Sequence, residues 1–174
     1  TQKQIGLKTG DSESFKNFEA FYQAFEAQLK HFISIKINGN NLIEQCFAEN
    51  MPAPFLSLLI NDCIANARDY NAGGARYNTS YVQGVGLGSI TDNFASIEKW
   101  VFNDRQLTMT ALISLLKDNF EGHEHWQQKF IYESPKWGNN DEQADKHAVR
   151  VFNSFFNAVD GLPSFRGGVF RINM

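Results

Sequence analysis

The sequence predicts a mostly helical α/β fold, and three observations support this prediction. Apolar residues recur every three to four positions over most of the chain, which is the period of amphipathic helices. Only residues 76–83 and 167–174 form short runs rich in β-branched and aromatic side chains next to glycines, as strands do. Since two strands this far apart do not make a stable sheet alone, we expect partner strands from outside the chain.

The first half of the chain is predicted to contain three helices. The first begins near Phe15, has Asn17 as its N-cap and runs for about five turns. The glycine and asparagines of residues 38–41 are expected to break it, and a second short helix follows to residue 50. Two prolines in Met51-Pro-Ala-Pro54 then start a third helix, which is expected to end near Tyr70.

The second half is predicted to alternate strands, glycine turns and helices. A strand over residues 76–83 is followed by the glycine-rich turn 84–88, after which Thr91 or Asp92 caps a helix to about Phe102. Thr108 is expected to cap the next helix. Further along, we expect a short helix over residues 123–132, a loop over 135–141, a long helix over 142–159 and a turn over 160–163 before the last strand.

Composition and charge exclude several functional classes. The 174 residues are about one domain's worth, and 43% apolar with 20% charged residues is typical of a globular protein rather than a disordered one. A net charge of −3 without a basic stripe gives no footprint for nucleic acid. No apolar run approaches the ~20 residues that span a bilayer, and no leader is visible. We therefore expect a soluble, cytoplasmic chain with neither nucleic-acid nor membrane partners.

Both ends of the sequence resemble cut ends. The chain begins at Thr1 and ends with Gly167-Gly-Val-Phe-Arg-Ile-Asn-Met174, which has the pattern of a strand that would continue past residue 174. We therefore expect the whole of residues 1–174 to be an internal segment of a larger protein.

Cysteine and histidine patterns offer little chemistry. Cys46 and Cys63 are 17 residues apart without a CxxC pattern, so we expect buried structural thiols rather than a zinc or redox site. His123 and His125 stand two residues apart, which on a helix places them on different faces. A solvent-facing pair is expected there, rather than a metal site.

Two further patterns are open to a functional interpretation. Gly84-x-Gly86-x-Gly88 lies between a strand and a helix, as in dinucleotide-binding loops, but Ser89 stands where their third glycine belongs. Four polar residues, Arg76, Tyr77, Asn78 and Thr79, lie on the predicted strand between glycines. They are candidates to line a barrel or face a substrate, and hydrogen bonds to neighbouring loops are the alternative. No nucleophile and base are paired by sequence.

Several motifs, in order along the chain, resemble the glycyl radical enzymes, the family of pyruvate formate-lyase. They are Pro52-Ala-Pro-Phe-Leu-Ser57, Gly73-Gly-Ala-Arg-Tyr-Asn-Thr79, Gln83-Gly-Val-Gly86, Thr91-Asp92, Asn157-Ala-Val-Asp-Gly161 and Arg166-Gly-Gly-Val-Phe-Arg171. They resemble the dehydratase branch most, and within it the enzymes that remove water from trans-4-hydroxy-L-proline. The resemblance implies a ten-stranded α/β barrel, to which this chain would add helices and one or two strands.

The resemblance also implies which parts of the reaction lie elsewhere. The family stores a glycyl radical, installed by a radical-SAM activating enzyme, and uses a cysteine in a Gly-Cys-x-Glu loop. Neither that loop nor the glycyl Arg-Val-x-Gly-Tyr loop occurs here. We therefore assign no catalytic, cofactor or metal residue to the chain. The expected partners are the rest of the parent enzyme, which would be a homodimer, and its activating enzyme.

Three functions remain to be compared. The first is an internal scaffold segment of a glycyl radical lyase, inactive by itself. The second is a non-catalytic module that uses exposed phenylalanine-rich helix faces to bind a partner. The third is a small nucleotide-binding domain.

Overall fold

The computed structural model describes residues 4–173, which are mostly helical with a small two-stranded sheet. The α-helices are α1 (Phe18–Asn50), α2 (Pro54–Leu59), α3 (Leu87–Ile97), α4 (Met109–Lys117), α5 (Glu124–Gln128) and α6 (Glu142–Val159). The strands are β1 (Ser80–Gln83) and β2 (Phe170–Asn173). A 3-10 turn covers Ser12–Ser14, and π-helical segments cover Glu98–Asn103 and Lys129–Glu133.

Helix α1 is continuous over 33 residues, so the predicted break at residues 38–41 is wrong. Its start is confirmed, because Asn17 Oδ1 accepts a hydrogen bond of 2.8 Å from the backbone N–H three residues later. A glycine costs a helix only about 1 kcal/mol. Asn41, in turn, has tertiary partners: it donates to the Pro163 carbonyl and accepts from the Phe165 N–H. Tertiary contacts therefore outweigh the weak helix propensity of this segment.

Helix α2 ends at Leu59, well before the predicted end near Tyr70. A series of turns follows, in which Asp62 and Ala67 have φ angles of 78° and 46°. Such left-handed residues cannot continue a right-handed helix. The apolar spacing of this segment therefore did not predict its conformation.

The Asp69 carboxylate organises these turns. It accepts hydrogen bonds from the Ala53 N–H at 2.9 Å and from the Ser57 hydroxyl at 2.7 Å. Burial raises the pKa of Asp69, but the Ser57 hydroxyl and nearby backbone N–H groups more than offset this and leave the pKa below its ordinary value. These side-chain bonds hold the turns against the first residues of α2, as such bonds do in non-helical segments.

The two strands pair with each other in parallel, from Ser80 opposite Phe170 to Gln83 opposite Asn173. Strand β1 is shorter than predicted, since it begins at Ser80 rather than at residue 76. One face of the pair is covered: Val82 and Phe170 are buried in a cluster with Ile33, Ile37 and Val159. Distant strands of one chain thus meet, although a parallel pair of this size is small for a stable sheet.

The described chain divides into two compact units, and helices α1 and α6 each contribute to both. The first unit comprises residues 4–28 and 86–154, and the second comprises residues 29–85 and 155–173. The sheet, α2 and the turns that follow it lie in the second unit.

Aromatic side chains fill the core of the first unit. Phe18, Tyr22 and Phe94 are buried together, and Phe94 meets the Phe25 ring edge-to-face at 4.9 Å between centroids. A separate apolar cluster joins α4 to the π-helical segments through Leu107, Leu112 and Leu115. Phenylalanines therefore supply much of the core of this unit.

Helix α3 begins before its predicted caps. Its N-cap is Gly86, at a φ of 88°, so Thr91 and Asp92 lie inside the helix rather than at its start. The predicted cap of α4 is confirmed, since the Thr108 hydroxyl accepts from the Ala111 N–H at 3.1 Å. The predicted helix over 123–132 and the long helix over 142–159 are also confirmed. Among the described residues, no helix has both the length and the apolar character of a membrane span.

Candidate functional site

The four polar candidates before β1 lie in a loop rather than on a strand, and they do not act as one group. Arg76 donates from Nε and Nη2 to the two Asp62 carboxylate oxygens, each at 2.8 Å. The hydrogen bonding between these two side chains lowers the pKa of Asp62 and raises the pKa of Arg76. Tyr77 is 83% exposed. Arg76 and Tyr77 thus lie at the surface of the second unit.

Asn78 and Thr79 instead form hydrogen bonds with neighbouring loops. The Asn78 side-chain amide donates to the Gly73 and Ala75 carbonyls at 3.1 and 2.9 Å. The Thr79 carbonyl accepts from Arg166 Nη2 at 3.5 Å. For these two residues, the contacts match the alternative interpretation of hydrogen bonds to neighbouring loops.

A second polar group lies on the open face of the parallel pair, and the sequence analysis did not single it out. Tyr81 is in register with Arg171, and Gln83 with Asn173. All four side chains are exposed, while their neighbours Ser80, Val82 and Phe170 are buried. The period-two geometry of the two predicted strands, which places Tyr81 with Gln83 and Arg171 with Asn173, was the signal that could have identified them. We call these four residues the open face.

The chemistry of the open face is that of recognition rather than of nucleophilic attack. It presents a phenol, two carboxamides and a guanidinium, which donate and accept hydrogen bonds to hydroxyl and carboxylate groups. Arg171 is oriented by Asp160, whose Oδ2 accepts from Nη1 at 2.6 Å. The open face therefore offers hydrogen-bond donors and acceptors to a polar group placed against it.

The histidine pair does not contribute to this face. His123 and His125 are both exposed in the first unit, with ring centroids 6.3 Å apart, which confirms the predicted solvent-facing pair. Within residues 4–173, no group of three or more His, Cys, Asp or Glu side chains has the arrangement of a metal site.

The two thiols differ in environment, and neither fits the radical chemistry of the resembled family. Cys63 is only 2% exposed, as expected, but Cys46 is exposed on α1, so the prediction that it is buried is wrong. Neither cysteine follows a glycine or has a glutamate two residues later. We therefore derive no step through a cysteine or glycyl radical of this chain.

Comparison with known proteins gives a consistent result. A family model described as pyruvate formate lyase-like matches residues 1–174. The chain is 43% identical over its full length to the trans-4-hydroxy-L-proline dehydratase of Clostridioides difficile, of which it covers 22%. The solved structure of that organism's hydroxyproline dehydratase, with trans-4-hydroxy-L-proline bound, matches 98% of this chain with a TM-score of 0.94, again over 22% of the larger protein.

A second similar structure is that of an enzyme named for a different substrate. The B12-independent glycerol dehydratase from Clostridium butyricum is 34% identical and matches with a TM-score of 0.91, over 98% of this chain and 22% of that one. The chain therefore spans about a fifth of the length of these relatives.

Proposed function

The chain belongs to the pyruvate formate lyase-like family, and from that premise we propose that it is a scaffold segment of a glycyl radical lyase of the dehydratase type. The parent enzyme would eliminate water from a small hydroxylated substrate such as trans-4-hydroxy-L-proline. The observation that carries this proposal is the 43% identity over the whole chain to the hydroxyproline dehydratase of Clostridioides difficile.

The parallel strand pair supports a place for the segment in a larger barrel. Parallel sheets are ordinarily covered on both faces. Here one face packs on α1 and α6 residues, whereas Tyr81 is 64% exposed on the open face. We assign the covered face to the outside of a ten-stranded barrel and the open face to its interior. Arg76 and Tyr77 would lie at the margin of that interior.

Helix α1 supports the same view, because it is apolar on two sides. Ile33 and Ile37 are buried, and the helical period places Ile35, Leu42 and Cys46 on the side away from them. Ile35 and Leu42 are 53% and 63% exposed. A helix with apolar side chains on two opposite sides can pack against two neighbours, so we expect other segments of the parent enzyme to cover this side.

In this proposal, the residues that carry the radical lie outside the segment. The parent enzyme would carry the glycyl radical and the reacting cysteine outside residues 1–174, and a radical-SAM activating enzyme would install the radical. The segment alone would be inactive. We also propose that the parent enzyme is a cytoplasmic homodimer.

Tyr81 tests the substrate-facing assignment. In the full-length, anaerobically activated enzyme, Tyr81→Phe should lower kcat/KM by about tenfold, because one hydrogen bond to the substrate or its neighbours is lost. Tyr132→Phe is the matched control, since Tyr132 is a comparably exposed tyrosine in the other unit, at 75%. Equal activity of the two variants would contradict the assignment.

The exposed apolar side of α1 also favours a second candidate, a free-standing module that binds a protein partner. The two candidates differ in the native gene. A reading frame that continues past residue 174 into a glycyl-radical loop supports the lyase, and a stop codon there supports the module. The family assignment accounts for the glycine-rich loop at residues 84–88 without a nucleotide, which leaves the third candidate without support.

A further inference from the structure

A polar cluster joins helix α1 to the first residue of β1. The Ser80 hydroxyl donates to Glu44 Oε1 at 2.5 Å, and it accepts from Arg166 Nη2 at 3.4 Å. The Arg166 Nε lies 3.7 Å from the same Glu44 oxygen. The Glu44 and Arg166 side chains are only 19% and 16% exposed. One serine hydroxyl therefore links a carboxylate on α1 to a guanidinium on the loop before β2.

The Arg166 guanidinium ties this cluster to the strand backbone. Its Nη2 also donates to the Thr79 carbonyl at 3.5 Å, so the residue before β1 and the first residue of β1 share one guanidinium nitrogen. Arg166 lies in the loop that leads into β2. The cluster thus contacts the starts of both paired strands and one helix.

The energetics favour a geometric role for the ion pair over a stabilising one. Charges removed from water lose hydration that their mutual attraction barely offsets, so a largely buried ion pair is weak support for stability. Within the described residues, Glu44 Oε2 and Arg166 Nε are buried and have no hydrogen-bond partner. Apolar side chains would often fill such a space at equal or lower cost, so the role to be tested for these charges is the position in which they hold Ser80.

The position that they fix is that of Tyr81. Successive side chains of a strand point to opposite faces. Ser80 points to the covered side, where it is 6% exposed, so holding its hydroxyl directs Tyr81 to the open face. A one-residue slip would exchange the two. Since Tyr81 is in register with Arg171, the same constraint aligns the polar pairs of the open face.

We infer that Ser80, held by Glu44 and Arg166, is a positioning residue for Tyr81 and through it for the substrate. The inference rests on the proposed function, because it assumes that the open face meets the substrate. It assigns to α1 a part in catalysis that its sequence pattern does not indicate.

A double-mutant cycle tests the inference in the full-length activated enzyme. Ser80→Ala should lower kcat/KM by about tenfold, similar to Tyr81→Phe, whereas in the Tyr81→Phe background Ser80→Ala should cost less than about twofold. Ser80→Thr keeps a hydroxyl and should restore most of the activity. Ser96→Ala is the control, because Ser96 is an equally buried serine that donates to the Asp92 carbonyl in α3.

The possible outcomes are distinguishable. A non-additive cycle with rescue by threonine supports the positioning role. Additive losses of kcat/KM from Ser80→Ala and Tyr81→Phe would overturn it while leaving the proposed function intact. So would a loss of kcat/KM in Ser80→Ala that Ser96→Ala shows equally at a matching fall in melting temperature. No effect of Tyr81→Phe alone would overturn both the substrate-facing assignment and the inference that depends on it.

Discussion

Gly73 packs its α-carbon directly against the backbone carbonyl of Arg166, and a β-carbon at position 73 would overlap that oxygen. Gly73 also has a φ of 86°, which side-chain-bearing residues rarely adopt. The turn region after α2 therefore depends on glycine for two independent reasons, space and backbone conformation.

Gly73→Val should consequently lower the free energy of unfolding by clearly more than about 1 kcal/mol. Urea denaturation of the chain measures this change. Gly39→Ala is the control, because Gly39 lies inside α1 without a positive φ, and a β-carbon added there would meet no atom within 4 Å. It should be neutral or stabilising by up to about 1 kcal/mol. Equal stability of the two variants would remove the steric explanation.

Gly86 separates the effect of backbone conformation on stability from the effect of a steric clash. It has a φ of 88° at the N-cap of α3, but an added β-carbon would meet nothing within 4 Å. Gly86→Val should therefore destabilise the chain by about 1–2 kcal/mol, from backbone strain alone, and by less than Gly73→Val. Thermal unfolding of both variants, side by side, measures the order. If Gly86→Val were the more damaging, the conformational argument would be wrong.

His147 makes stability depend on pH. It is 2% exposed, and its Nε2 lies 3.0 Å from Glu98 Oε2. Burial lowers the pKa of His147 below its ordinary value of 6.5, and Glu98 offsets only part of this effect. The unfolded chain then binds the proton more readily, so the free energy of unfolding should fall as the pH drops below about 6.5. The neighbouring cations Lys146 and Arg150 act in the same direction as burial.

Urea denaturation at pH values of about 7.5 and 5.5 measures this loss. His147→Gln should show a smaller difference between the two pH values than the native chain. His125→Gln, at an exposed position, should retain the native difference. An unchanged difference in the His147 variant would assign the pH dependence to other groups.

The rate at which Cys46 is modified shows whether the exposed apolar side of α1 is covered. Because Cys46 is exposed and Cys63 is buried, a thiol reagent should modify one thiol of the isolated native chain rapidly and the other slowly. In the full-length enzyme, the proposed covering of the apolar side of α1 should slow the modification of Cys46 by at least about tenfold. Mass spectrometry after timed labelling identifies the modified residue. Equally fast labelling of Cys46 in both proteins would argue against that covering.

The sequence predicted those elements whose ends are marked by local hydrogen bonds. The Thr108 cap, the Asn17 cap and the start of the long helix α6, where the Gln143 N–H donates to Asp141 Oδ1, illustrate this, since the bonded groups lie within one turn. The break predicted in α1 failed because Asn41 finds its partners more than 120 residues away. Helix α2 ends at Leu59, and Asp69 holds the turns after it through partners 16 and 12 residues away, the Ala53 N–H and the Ser57 hydroxyl.

The candidate site was predicted only in part for the same reason. The pairing of β1 with β2 joins residues 90 positions apart, and no local pattern encodes it. Without that pairing, Tyr81 and Arg171 could not be placed on one face. The sequence indicated the polar loop before the strand but not the polar face of the strand itself.

The most direct test of the account is an anaerobic assay of trans-4-hydroxy-L-proline dehydration by the full-length enzyme and by residues 1–174 alone, each incubated with the activating enzyme. The account predicts turnover by the full-length enzyme and none by the 174 residues. Turnover by the isolated segment, or an activated full-length enzyme that dehydrates no small hydroxylated substrate, would contradict it.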